Sequence, residues 1–316
     1  MILGPVNANR NPFIYLNNMG KVMTSGRAVA RHALALAAAL AFPIGSAARA
    51  ETGAWAESAH AKARLIAATS GTGEATSVRL GLEIKLEPGW KTYWRSPGEG
   101  GMPPRFDWSG SANVGHLDTA WPAPKRFEIG GLESVGYANH VILPLDVALA
   151  KPGEPLAARL SLQYAVCREI CMLVEARLAL DLPAGAGAET AQALSNAEAI
   201  ARFQSRVPRA GAEHGWRVVE LGGQRLGGAG PEGRDVIVID VAATDVVFAK
   251  PELLIEGQGL RFGKAIVKPG RGRHVRFVAP VQSRGAAAHG GTELVLTLID
   301  GERAGAFTVR FEPPAR

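Results

Sequence analysis

The chain reads as strand after strand, and that rhythm limits what it can fold into. In SVRLGLEIKLEP (77–88), Val78, Leu80, Leu82, Ile84 and Leu86 fall on one face, with Arg79, Glu83, Lys85 and Glu87 on the other. EARLALDL (175–182) alternates again, with Ala176, Leu178, Leu180 and Leu182 on the apolar side. HVILPLDVAL and ARLSLQYAV are further strand-like runs. Apolar and polar residues alternating with period two are the mark of half-buried antiparallel strands. Clusters such as EPGW, SPGEGGMPP and AKPGEP supply the turns between them. Residues 51–183 are therefore expected to form a β-sandwich.

ETAQALSNAEAIARFQSRVP breaks the alternation. Its helix formers predict a helix from Thr190 to Arg206, stopped by Pro208, inside a linker covering 184–211. Short strands return in WRVVEL, RDVIVIDVA, ELLIEG, HVRFVAP, TELVLTLID and GAFTVRFEP. The predicted architecture is all-β: two β-sandwiches, 51–183 and 212–316, joined by a short helical linker.

Residues 1–50 read as a secretion leader. Arg27 and Arg31 form a basic region, ALALAAALAFPIG an apolar core too short for a membrane span, and AARA a cleavage site after Ala50. The leader also explains the charge. The chain carries +6, but the first fifty residues hold five Lys or Arg and no Asp or Glu, which leaves the mature protein at +1. That balance gives no support for nucleic acid as a partner. A mature protein that does not span the membrane, exported to the periplasm, is expected, in a compartment where disulfides persist.

Against this background stand two cysteines, Cys167 and Cys171, in LSLQYAVCREICMLVEARLALDLP. Both flanking runs alternate, and Arg168, Glu169 and Ile170 have the length of a hairpin connection. Opposed residues of such a hairpin are near enough to be bridged. Three readings follow. A structural staple would close only a tiny loop, worth about 2 kcal/mol in the chain-entropy model. On that reading the protein is an immunoglobulin-type binding or chaperone module. A metal clip has two thiolates but no His within twenty residues; zinc needs more ligands. Met172 and Met102 would suit a periplasmic Cu(I)-binding protein. A working thiol pair would use the access that a hairpin mouth offers an incoming thiolate. Arg168 would lower the pKa of its neighbour, partly cancelled by Glu169.

The surrounding sequence favours the third. FEIGGLESVGYANHVILPLDV, GWKTYWRSPGEGGMPPRFDWSGSANV and the cysteine segment resemble the N-terminal periplasmic domain of DsbD-type thiol:disulfide interchange proteins, in the ScsB-like branch linked to copper tolerance. The likeness covers about residues 60–185 well and the second domain less specifically. It implies an immunoglobulin-like fold and a protein-disulfide reductase component without cofactor or metal, related to proteins of cytochrome c biogenesis. Cys171 would form the mixed disulfide and Cys167 resolve it. Phe127, in RFEIGG, matches the aromatic cap over the pair, Glu128 lies in the same segment, and Tyr93 matches an aromatic position beside the site. The chain shows neither the membrane domain nor the thioredoxin-like domain of those proteins. A separate membrane-embedded thiol reductase is therefore expected as electron donor, and a periplasmic disulfide-containing or thioredoxin-like protein as client.

Overall fold

The computed structural model describes residues 51–185, 187, 189–226, 234–270, 272–284 and 291–312. The expected leader, 1–50, lies outside the described residues. In chain order the first β unit runs β1 (Ala56–Glu57), β2 (Ala61–Ala67), β3 (Ser77–Leu86), β4 (Lys91–Gly98), β5 (Arg105–Asp107), β6 (Val114–Thr119), β7 (Lys125–Ile129), β8 (Leu132–Ala138), β9 (His140–Leu149), β10 (Leu156–Cys167) and β11 (Cys171–Leu182). One sheet has the order β1-β2-β3-β9-β6 and the other β11-β10-β4-β8-β7, with β5 also paired to β10. Leu80, Leu82, Leu143 and Leu145 from the first sheet meet Leu160, Leu162, Leu178 and Leu180 from the second in one buried core. This is the sandwich that the alternation predicts, with the immunoglobulin-like fold that the resemblance implies.

One position departs from the alternation. Glu83, expected on the polar face of β3, is buried. Burial alone would raise its pKa, but hydrogen bonds from His140 and Arg64 and the charges of Arg64 and Lys85 outweigh this and hold it at about 2. The outer face of this sheet is covered because helix α1 (Ala191–Gln204) lies on it. Thr190 caps the helix by accepting the Ala193 amide at 3.0 Å. Ile200 packs against Gly81, where a Cβ would come within 3.0 Å of it. Phe203 meets the His140 ring edge-on, with centroids 5.2 Å apart. Buried Asn196 donates to the carbonyls of Glu51 and Ala67 at 2.9 and 3.0 Å.

The second β unit contains β12 (Arg209–Ala210), β13 (Trp216–Leu226), β14 (Arg234–Ala243), β15 (Pro251–Gly257), β16 (Leu260–Phe262), β17 (Ile266–Pro269), β18 (His274–Arg284), β19 (Thr292–Asp300) and β20 (Arg303–Phe311). Its hydrogen bonding runs continuously in the order β12-β20-β19-β15-β16-β18-β14-β13. Long strand β18 makes this continuity: residues 274–280 pair with β14 and its far end with β16, across a register shift at Arg261/Phe262. The sheet thus wraps its own core of Trp216, Ile237, Phe277, Leu253, Leu296 and Leu298.

The described residues form one compact body, and β15 shows why. Leu253 and Ile255 face the second core, whereas Leu254 is buried in the first. Burying one leucine in this way contributes roughly 1.5–3 kcal/mol.

Candidate functional site

Strands β10 and β11 pair in unbroken register from Leu156↔Leu182 to Cys167↔Cys171. The connection is Arg168-Glu169-Ile170, closed by the Arg168 amide donating to the Ile170 carbonyl at 3.1 Å. The two cysteines form a disulfide at the hairpin mouth, with Cα atoms 4.1 Å apart. Their surroundings differ. Cys167 is fully buried, whereas Cys171, on the edge strand, is exposed.

The other neighbour of β10 is β4, with Cys167 opposite Lys91. Opposed residues share a face, so Lys91 and Tyr93 lie on the side of the sulfurs. The Tyr93 hydroxyl is 3.2 Å from both Sγ atoms. Disulfide sulfurs carry no proton, so in this pairing only the phenol can donate. The hydroxyl also lies 3.3 Å from the Gly100 carbonyl. Burial pushes the Tyr93 pKa above its ordinary value, against a smaller opposing effect of the Ser134 hydroxyl. The phenol therefore stays protonated through neutral pH.

A second hairpin covers this arrangement. Strands β7 and β8 pair from Lys125↔Gly136 to Ile129↔Leu132. The turn is Gly130-Gly131, with φ of 58° and 79°. Left-handed backbone at both turn positions is what a two-residue hairpin demands, and glycine adopts it without a Cβ penalty. Ile129 is buried in a small cluster with Tyr93, Ala165 and Cys167, flanked by Phe127 and Met102. The Phe127 ring lies 6.5 Å from that of Tyr93, centroid to centroid, and the Lys91 ammonium sits 5.5 Å from the Phe127 centroid. Loop 98–102 closes the remaining side. A Cβ at Gly101 would come within 2.8 Å of the Tyr93 ring, so this approach requires glycine.

Four of the residues singled out in the sequence thus come together: Cys167, Cys171, Tyr93 and Phe127. Two do not. Glu128 is exposed, because successive strand residues point to opposite faces and Phe127 and Ile129 take the inner one. Arg168 is 56% exposed, lies 3.9 Å from Glu169 and runs its stem past Gly89. The cation on the face of the sulfurs is Lys91. Strand alternation back from Tyr93 could have found it. The GG dipeptide in KRFEIGGLESVGYA likewise signals a hairpin and would have named Ile129 as Phe127's companion.

Of the two methionines considered as soft ligands, Met102 lies at the site and Met172 packs on the main core. Among the described residues, no group of three or more His, Cys, Asp or Glu side chains is placed to hold a metal ion. Nor is any described helix long and apolar enough to cross a membrane.

Both the sequence and the fold find matches among known proteins. The family model of thiol:disulfide interchange protein DsbD, N-terminal, matches residues 62–183. Residues 62–183 form a DsbD-type N-terminal domain. That family is involved in thiol:disulfide interchange. The crystal structure of the N-terminal periplasmic domain of ScsB from Proteus mirabilis matches with a TM-score of 0.62 at 22% identity. The match covers 84% of this chain and 99% of that one, so the likeness of fold extends beyond the DsbD-type domain into the second β unit. No curated protein matches the chain.

Proposed function

We propose that the protein carries electrons in the periplasm, from a separate membrane-embedded dithiol reductase to oxidised proteins, through Cys167 and Cys171. One observation carries the reading: Cys171 is exposed, Cys167 is buried, and a protonated phenol lies 3.2 Å from both sulfurs. A donor thiolate attacks the Cys171 Sγ from outside. The S–S bond breaks, the electron pair goes to the Cys167 sulfur, and Tyr93 stabilises the nascent thiolate by donating a hydrogen bond, aided by the Lys91 charge. The donor's second thiolate then attacks its own sulfur in the mixed disulfide and releases Cys171. The donor leaves as a disulfide and this protein as a dithiol. With a client the sequence reverses: the Cys171 thiolate attacks the client disulfide, and Cys167 resolves the mixed disulfide. No cofactor enters the balance.

The family to which residues 62–183 belong and the exposure of Cys171 support this order. The test is a pair of single variants in the full chain. Cys171→Ser is expected to abolish exchange with a model disulfide while the far-UV spectrum stays native. Cys167→Ser is expected to accumulate a mixed disulfide. Exchange surviving in Cys171→Ser would overturn the reading. Loss of folding in both variants would assign the bond to a staple instead.

A further inference from the structure

The second β unit grips the cap rather than the cysteines. Strand β15 presents Glu252, Leu254 and Glu256 on one face, with Leu254 buried in the first core. Glu252 ion-pairs with Arg126 of cap strand β7, whose Nη2 also donates to the Leu253 carbonyl at 2.9 Å. Glu256 receives Nε and Nη2 of Arg95, next to Trp94 in the bulge of β4, at 2.9 and 2.8 Å. Across the cap hairpin, Glu133 binds Arg126, and Lys264 Nζ lies 3.2 Å from it. In the loop over Tyr93, Glu99 receives the side-chain amide of Gln282.

Two features make these contacts mechanical. Arg126 and Phe127 are adjacent on β7 and point to opposite faces. The outer face of the cap is thus tied to the second unit while its inner face covers the sulfurs, and lifting Phe127 pulls on Arg126. Apart from buried Leu254, the ties to the cap and its neighbouring loop are polar. A cleft of about 980 Å³ opens between the 95–103 segment and the second unit, lined by Pro97, Glu99, Phe262, Gln282 and Glu293 among others. Polar tethers across a cleft give way more readily than apolar packing.

We propose that the second β unit is a latch on the cap: the Glu252–Leu254–Glu256 face of β15, with Lys264, sets how often the β7–β8 hairpin uncovers Cys167. The latch rests on the exchange reading only in taking Cys167 as the guarded atom. Alkylation needs no redox partner, so the two can fail separately.

The experiment uses the full chain with Cys171→Ser, which leaves Cys167 as its one thiol, and measures the rate of alkylation by iodoacetamide. Adding Glu252→Gln and Glu256→Gln together is expected to raise the Cys167 rate about tenfold by shifting the cap toward its open state. In the Cys167→Ser chain the same changes should move the already exposed Cys171 by less than about twofold. Lys264 is 64% exposed, so Lys264→Glu tests the latch without disturbing the core and is expected to give about threefold. If the double variant loses its native spectrum, Lys264→Glu decides alone. An unchanged Cys167 rate in folded variants, or an equal rise at Cys171, would overturn the latch. Loss of exchange with every dithiol alongside a raised Cys167 rate would instead leave the latch standing and remove the electron-carrier reading.

Discussion

Two hairpins meet at the sulfurs, and they are built in opposite ways. The β10–β11 hairpin has twelve residues in each strand, one face buried in the main core, and a covalent bond at its mouth. The β7–β8 hairpin pairs over Lys125–Ile129, turns on two glycines with positive φ, and fastens by charged groups to a different part of the chain. Burial of alternating leucines fixes the first. In the second, β8 buries Val135 and Tyr137 in the main core, but β7 and the turn sit at the end of the sheet, held by contacts worth far less per residue. Reactive atoms thus stand on the element that cannot move, and the cover is the element that can. The disulfide keeps its geometry while access to it varies.

If this contrast is right, damage to the cap should alter access, and damage between the hairpins should alter chemistry. The largest effect is expected for Phe127→Ala. The ring contributes about 2 kcal/mol of contact to the closed state, so its loss should raise Cys167 alkylation in the Cys171→Ser chain about thirtyfold. An unchanged rate would move the covering role to Ile129. Tyr93→Phe keeps the ring and removes only the hydroxyl 3.2 Å from the sulfurs. Exchange should slow about tenfold, with Cys167 access altered less than about twofold. Burial holds the Tyr93 pKa above its ordinary value, so the phenol remains a donor and the slowing should be constant from about pH 6 to about pH 9. Exchange as fast as in the unmodified chain would assign the stabilisation to Lys91 instead.

Much of this architecture is legible in the sequence wherever one face of a strand meets water. EARLALDL alternates because β11 buries one side only, and that periodicity places Cys171 opposite Cys167 once the hairpin is assumed. Legibility fails where both faces are covered. ELLIEG shows no alternation because Leu253 and Leu254 serve different cores, and period-two reading has no way to assign a strand to two masters. Glu83 misleads for a related reason: a helix more than a hundred residues further along the chain covers its sheet, and three basic neighbours make its burial tolerable. At the site, aromatic and thiol residues stand out by type. Lys91 does not, since its position depends on which strand pairs with β10, and neither does the long-range pairing of Arg126 with Glu252.

The smallest effect, and the one that separates the hairpins most sharply, concerns the bond itself. Reducing Cys167–Cys171 releases a loop of only five residues, worth at most about 2 kcal/mol. The unbroken β10–β11 register already brings these residues together, so the unfolded-state constraint counts for less than that. Thermal unfolding of the reduced chain should fall by less than about 8 °C, given roughly 2–4 °C per kcal/mol at this size. A larger drop would mean that the bond staples the sandwich and that the rigid hairpin depends on its own active group. A small drop has a thermodynamic consequence. Oxidised and reduced forms then differ little in folding free energy, so by linkage the fold contributes little to the stability of the bond. The pair can then give up and regain electrons with both sheets intact, and what regulates the exchange is the cover, not the frame.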